Sequence, residues 1–89
     1  MQLSHLISKA EQYFVDVVDS GSDQDLFIAG YVQGHFSLAL AKLQSCDDKS
    51  AEQLTIILDN SLTQAFADNE LDLDDQAQCR KLVEQLVSR

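Results

Sequence analysis

Apolar residues recur every three or four positions through four stretches of this chain, and no proline interrupts any of them. This spacing places apolar side chains on one face of an α-helix, whereas a half-buried strand would need them at every second position. Three glycines and no proline also leave few of the residues that tight hairpin turns require. We therefore predict an all-α fold, with helices over about 3–19, 23–44, 51–68 and 73–87.

Short polar segments separate the predicted helices, and each segment ends in a residue that can cap a helix start. Ser22 and Ser50 are each followed, three residues later, by an acidic or amide side chain, which is the spacing of a capping box. Asp72 is the expected N-cap of the fourth helix, with Asp75 three residues on. Gly21 is expected to adopt the left-handed conformation that often ends a helix. The connections are short, as in an antiparallel four-helix bundle.

The second predicted helix is apolar on most of its circumference from 26 to 43. A helix of this kind is usually central, with neighbours packed on several sides. We therefore expect one domain over 1–89, an antiparallel four-helix bundle with a central, largely buried second helix. Cys79 is expected to join the core as a small apolar side chain. The other predicted core residues are Leu6, Ile7, Ala10, Phe14, Val17, Phe27, Gly30, Gly34, Leu38, Leu54, Leu58, Leu62, Leu82 and Leu86.

The formal net charge of −9 restricts the classes of direct partner. Binding to the phosphates of a nucleic acid, or to an anionic membrane surface, needs clustered lysine and arginine, and the chain has six such residues against 15 acids. No apolar run approaches the ~18 residues of a membrane span. The N-terminal segment also lacks the features of a signal peptide. We therefore expect a cytoplasmic protein that binds neither nucleic acid nor membrane directly.

Gly30 and Gly34 lie inside the second predicted helix, where each costs about 1 kcal/mol relative to alanine. They are four residues apart and open one groove on the helix surface. The groove could admit a neighbouring helix of the same fold, by the geometry of small-residue pairs in membranes. It could instead be a notch for a ligand or a partner side chain, or the helix could be kinked there. The sequence favours the first of these and leaves all three open.

Tyr31 and His35 are also four residues apart, on a face adjacent to the glycine groove. A single histidine on a largely apolar helix is more often a packed, hydrogen-bonded residue than a catalyst. The alternative is a binding site on this face. It would consist of Gly30, Tyr31, Gly34 and His35, and it would require a pocket beside the glycine groove. No spacing marks a catalytic triad, a metalloprotease or a phosphate-binding loop. We therefore expect no catalytic residues, and an enzyme has little support.

The acidic residues are densest between the third and fourth predicted helices. The alternating acids there resemble a calcium loop, but leucine and cysteine occupy the sixth and twelfth positions, where an EF-hand needs glycine and glutamate. We therefore expect no metal and no cofactor. Capping and solubility explain most of these acids, and the alternative is an acidic patch that a basic protein would recognise. The patch consists of Asp68, Glu70, Asp72, Asp74 and Asp75.

Three segments carry a likeness to a known family. They are SDQDLFIAGYVQGH over 22–35, AKLQSCDDKSAEQL over 41–54 and ELDLDDQAQ over 70–78. In this order and at roughly this spacing, the chain resembles the YfcL family of short bacterial proteins. The resemblance implies a bacterial, intracellular, all-helical protein, and it supplies no activity, substrate or catalytic residue, because the family is functionally uncharacterised.

Small size, missing catalytic signatures and uneven charge together favour a non-catalytic protein–protein interaction module. Two alternatives remain open at this point. One is a self-associating, homodimeric structural protein, since amphipathic helices in a short chain often complete their core across a two-fold axis. The other is a small ligand-binding protein or enzyme that uses Tyr31 and His35.

Overall fold

The residues predicted to cap helices do so at three of the four helix starts. In the computed structural model, which describes residues 2–88, the side-chain oxygens of Ser22, Ser50 and Asp72 each accept a hydrogen bond from the backbone N–H three residues later. These bonds satisfy N–H groups that the start of a helix leaves free. The helices are α1 (Leu3–Ser20), α2 (Asp23–Leu43), α3 (Ala51–Ala67) and α4 (Leu73–Val87).

The capping box predicted at two serines is complete at one of them. The Asp25 carboxylate accepts a hydrogen bond from the Ser22 N–H at 3.1 Å, so both arms of the box are present. At Ser50 the backbone N–H donates instead to Asp48 Oδ1, at 2.9 Å. The box predicted there is therefore half formed, because an upstream aspartate takes the place of the Gln53 side chain.

Gly21 ends α1 in an extended conformation, with φ −81° and ψ 158°, so the left-handed conformation predicted for it is wrong. The structure shows another reason for glycine at this position. An added Cβ would lie 2.5 Å from Val17 Cγ2 and 2.7 Å from Val17 O. Glycine is needed because the chain passes closely over the last turn of α1 as it turns into α2.

The four helices share one apolar core, and α2 contacts each of the other three. The all-α prediction is confirmed. Within residues 2–88, every helix is too short or too polar to cross a membrane. Cys79 is buried, as predicted. The other predicted core residues that are buried are Leu6, Ala10, Phe14, Val17, Leu54, Leu58, Leu62, Leu82 and Leu86.

The prediction of a largely buried second helix is wrong. Phe27 is 49% exposed and Leu38 is 58% exposed, and both glycines predicted in the core, Gly30 and Gly34, are exposed as well. Ile7 on α1 is half-buried at the edge of the core. The neighbours of α2 cover one side of it only, where its buried residues are Ile28, Ala29, Val32, Phe36, Ala39 and Leu43.

The error in α2 has a physical cause. Apolar side chains occur all round this helix, so helical periodicity cannot indicate which face is turned inwards. Packing turns inwards the face that carries Ile28, Val32, Phe36 and Leu43, whose side chains fill the space between the helices. The face that carries both glycines is left turned outwards.

Candidate functional site

Tyr31 links the middle of α2 to the connector that follows α3. Its Oη donates a hydrogen bond to Glu70 Oε1 at 2.8 Å. Burial, and then the hydrogen bond to the Glu70 carboxylate, raise the pKa of the Tyr31 phenol. The phenol therefore stays protonated and remains a hydrogen-bond donor at physiological pH.

Local backbone geometry places Glu70 within reach of Tyr31. Asn69 adopts the left-handed conformation, with φ 60°. Its N–H donates to Phe66 O and the Glu70 N–H donates to Ala65 O, which is the hydrogen-bond pattern of a Schellman motif. Asparagine tolerates this conformation better than most residues. The helix end therefore positions the carboxylate beside α2.

His35 lies one turn after Tyr31 and faces α3. Its Nδ1 and Ser61 Oγ are 2.6 Å apart and share a hydrogen bond. The rings of Tyr31 and His35 are stacked at a tilt of 44°, with centroids 4.8 Å apart. The order of these contacts along the two helices shows that α2 and α3 run antiparallel: the earlier residue, Tyr31, reaches Glu70, and the later one, His35, reaches Ser61.

An open groove of about 540 Å³ lies between α2 and α3, beside the His35–Ser61 pair. Lys42 lies towards one end, and the acids after α3 lie towards the other. The ligand-binding alternative required a pocket beside the two glycines, and this groove borders His35 without Gly30 or Gly34 in its lining. Its lining residues are His35, Lys42, Ile57, Asn60, Ser61, Gln64, Ala65, Asp68 and Glu70.

The His35–Ser61 pair is not oriented by the nearest carboxylate. A serine nucleophile needs a histidine base that a third group, usually a carboxylate, orients. The nearby Glu70 carboxylate accepts its hydrogen bond from Tyr31 and not from His35. Among residues 2–88, no three histidine, cysteine or acidic side chains are grouped so as to hold a metal ion. The groove therefore offers polar and apolar contacts to a ligand.

Gly30 and Gly34 lie on the side of α2 that faces away from the other helices. Apart from the adjoining residues and the backbone of α2 itself, no heavy atom is within 4 Å of the position that a Cβ would take on either glycine. The prediction that a neighbouring helix of the same chain approaches them closely is therefore wrong. The assignment of both glycines to a helix is right, since α2 continues over Asp23–Leu43. We define the outer face of α2 as the exposed residues Phe27, Gly30, Gly34, Leu38 and Ala41.

The outer face contains no charged residue. From Leu26 to Ala41, 16 consecutive positions lack aspartate, glutamate, lysine and arginine, although these make up 24% of the chain. Phe27 and Leu38 extend their side chains into solvent on either side of the two glycines. The four predicted binding residues thus divide into two groups: Tyr31 and His35 border the groove, while Gly30 and Gly34 lie on the outer face.

The five acids of the predicted patch are exposed or half-buried, and several have local partners. Glu70 accepts from Tyr31, Asp72 caps α4, and Asp75 Oδ1 accepts a hydrogen bond from Gln24 Nε2 at 2.8 Å. Asp68 caps the end of α3, and Asp74 lies in the first turn of α4, where acids favour the helix dipole. Much of the patch thus stabilises helix ends and contacts with α2.

Sequence reasoning missed Ser61 and Lys42 as groove residues. Ser61 did carry a signal, since it follows Leu58 by three positions and precedes Ala65 by four, which puts a hydroxyl on the buried side of α3. A polar group there needs a partner. His35 provides that partner, although nothing in the sequence pairs the two residues.

Comparison with known proteins places the chain in a family. The family model described as "YfcL protein" matches residues 4–88. The relative named "Uncharacterized protein YfcL", from Escherichia coli strain K12, is 41% identical over 73 residues, which are 82% of this chain and 79% of the relative. No solved structure matches the chain. With the model covering nearly the whole chain and this degree of identity, the chain belongs to the YfcL family.

Proposed function

We propose that this protein is a non-catalytic protein–protein interaction module, and that it binds its partner through the outer face of α2. One observation carries the proposal: this face is exposed, apolar and free of charge along a helix whose opposite side forms the core. Contiguous exposed apolar surface on a soluble domain typically marks an interaction site.

The composition of the outer face supports binding because it does not serve the fold. Each glycine inside α2 costs about 1 kcal/mol relative to alanine. Neither glycine makes room for another part of the chain. Phe27 and Leu38 expose apolar surface to water, which is unfavourable and which polar side chains at these positions would avoid. A partner helix that approached the glycines and covered both large side chains would turn these costs into favourable contacts.

The predicted basic partner has weaker support than an apolar one. Three carboxylates of the acidic patch already accept hydrogen bonds within the chain. They are therefore less available to lysine or arginine of another protein. Asp68 and Asp74 could still contribute electrostatic steering from the rim of an interface, and a basic rim on the partner stays a prediction.

Ligand binding in the groove between α2 and α3 is a second candidate function, favoured by the hydrogen-bonded His35–Ser61 pair on its wall. NMR screening of small polar compounds would test it. Amide shifts at Ser61 and Gln64 that saturate with one compound, and that disappear in His35→Ala, would support a ligand site. Shifts that persist unchanged in His35→Ala would contradict it.

Photo-crosslinking in the source cells tests the interaction proposal directly. The photoreactive residue p-benzoylphenylalanine is introduced at Phe27 or at Leu38, and in a control at Leu73, which is 81% exposed and belongs to α4. We expect discrete crosslinked products from the two α2 positions that are absent or much weaker from position 73. Equal crosslinking from all three positions, or none from α2, would refute the proposal.

A further inference from the structure

We propose that the partner covering the outer face of α2 is a second copy of the same chain, with the two α2 helices packed antiparallel across a two-fold axis. This inference rests on the proposed function and names its partner. In a closed two-fold dimer the same surface is used by both copies, so it must be complementary to itself. The outer face of α2 meets that requirement in the order of its large and small residues, and the charged residues at its two ends are complementary.

The sizes of the residues match when α2 is reversed about a point between Val32 and Gln33. In that register Phe27 of one copy faces Leu38 of the other, so the two large exposed side chains cover each other. The two-fold axis repeats the contact at the other end. The glycines fall between these contacts, where two helices need small residues to approach closely.

The same register gives Gly34 an aromatic neighbour, because it lies level with Tyr31 of the other copy. The Tyr31 ring is half-buried and retains an exposed part that fits the space opened by the missing side chain. His35 faces α3 and takes no part in this contact.

Charge is complementary at the ends of the same stretch. Asp23 lies three positions before the uncharged segment, and Lys42 directly follows it. In this register Asp23 of one copy lies level with Lys42 of the other. Both are exposed, and within residues 2–88 neither forms a salt bridge. The net charge of −9 opposes association in general, but here the acid meets a base and the rest of the contact is uncharged.

The size of the contact predicts a weak and reversible dimer. The stretch from Asp23 to Lys42 is about 30 Å long at ~1.5 Å per residue, and a helix is about 12 Å wide, so each copy would bury about 360 Å². Stable interfaces bury about 800 Å² on each partner. We therefore expect a dissociation constant in the micromolar to millimolar range and a dimer that requires high protein concentration.

Sedimentation equilibrium of the purified full chain is the first test. We expect a mass of 9.9 kDa in dilute solution that rises towards twice this value at hundreds of micromolar. Phe27→Asp should weaken association at least about tenfold, whereas Leu73→Asp, an equally polar change at an exposed apolar residue outside α2, should not. Circular dichroism checks that both variants remain helical. A monomer mass at every concentration, or association that Phe27→Asp leaves intact, would overturn the proposal.

Disulfide trapping tests the register without relying on loss of association. In a Cys46→Ser background, Phe27→Cys and Leu38→Cys chains are prepared separately and oxidised alone or mixed. The antiparallel register predicts a disulfide-linked dimer in the mixture and little in either chain alone. Equal trapping of Phe27→Cys with itself would overturn the antiparallel arrangement. Photo-crosslinks from position 27 to a different protein, with a monomeric chain, would overturn this inference and leave the proposed function standing.

Discussion

The Tyr31 hydroxyl and the Glu70 carboxylate are joined by a hydrogen bond of 2.8 Å that connects α2 to a residue 39 positions later. It helps to hold the connector between α3 and α4 against the central helix, together with Leu71, which packs against the core. The bond also brings one acid of the predicted acidic patch to the edge of the predicted binding face, next to the groove.

Tyr31→Phe removes the donor of this bond and keeps the ring that stacks on His35. We expect a loss of about 1 kcal/mol in the free energy of unfolding, because a hydrogen bond to a charged acceptor is replaced by a solvated carboxylate. Urea denaturation measures the change. Glu70→Gln, which keeps an acceptor oxygen but no charge, should cost less than Tyr31→Phe, and a larger loss from it would contradict this account of the contact.

Stability should fall at alkaline pH because the folded state keeps its phenols protonated. Burial and then the hydrogen bond to Glu70 raise the pKa of Tyr31, and burial and then the Asp25 charge raise the pKa of Tyr13, both above the ordinary 10.0. This contribution is present below pH 10 and is lost as the pH rises towards the folded pKa values, since the unfolded chain releases these protons first. Tyr31→Phe should flatten the decline measured by urea denaturation.

The two tyrosines can be titrated one at a time, because the chain has no others. Phenolate absorbance of Tyr31→Phe reports Tyr13, and that of Tyr13→Phe reports Tyr31. Both should ionise at a higher pH in the folded protein than in the protein unfolded in urea. Ionisation of Tyr31 at the same pH in both states would contradict the expected alkaline destabilisation.

Gly30→Ala and Gly34→Ala should each stabilise the monomer by about 0.5–1 kcal/mol, because alanine is the better helix former and its Cβ would meet no neighbour. Thermal denaturation of dilute protein measures this. Gly21→Ala is the matched control and should destabilise, since its Cβ would clash with Val17. Destabilisation by Gly34→Ala in the monomer would show that a part of the chain packs against this position.

Substitutions of Leu38 and Leu58 compare an exposed leucine on α2 with a buried leucine on α3. Leu58→Ala should cost about 2–5 kcal/mol, because it removes a side chain that is 2% exposed and leaves a cavity. Leu38→Ala should cost well under 1 kcal/mol in the monomer, because Leu38 is 58% exposed. Urea denaturation at low protein concentration compares them, and equal losses would contradict the outward orientation of this face.

The two cysteines should differ in their reaction with thiol reagents. Burial, followed by the charge of Asp75, raises the pKa of the Cys79 thiol to about 11, whereas Cys46 is half-exposed near the end of α2. The thiolate is the reactive form. At pH 8 we expect one rapid equivalent in a disulfide-exchange assay, from Cys46, and a second only on unfolding. Cys46→Ser should abolish the rapid phase, and a rapid phase that persists would contradict the burial of Cys79.

The amino-acid sequence by itself determined the helices, because their signals are local. Apolar spacing, cap residues such as Ser22 and Asp72, and the lack of proline each act over a few residues, so the predicted boundaries agree with the structure to within one position. The same local signals indicated that most leucines of α3 and α4 lie in the core, since each of these helices has one apolar face and one polar face.

Tertiary packing decided what lies on each side of α2. This helix is apolar all round, so its periodicity does not distinguish Val32, which is buried, from Leu38, which is exposed. The pairing of His35 with Ser61, and of Tyr31 with Glu70, joins residues far apart in the chain, and it depends on how α3 and the connector after it lie against α2. Each helix therefore follows from local sequence, while the exposed face and the groove follow from the packing of the helices against one another.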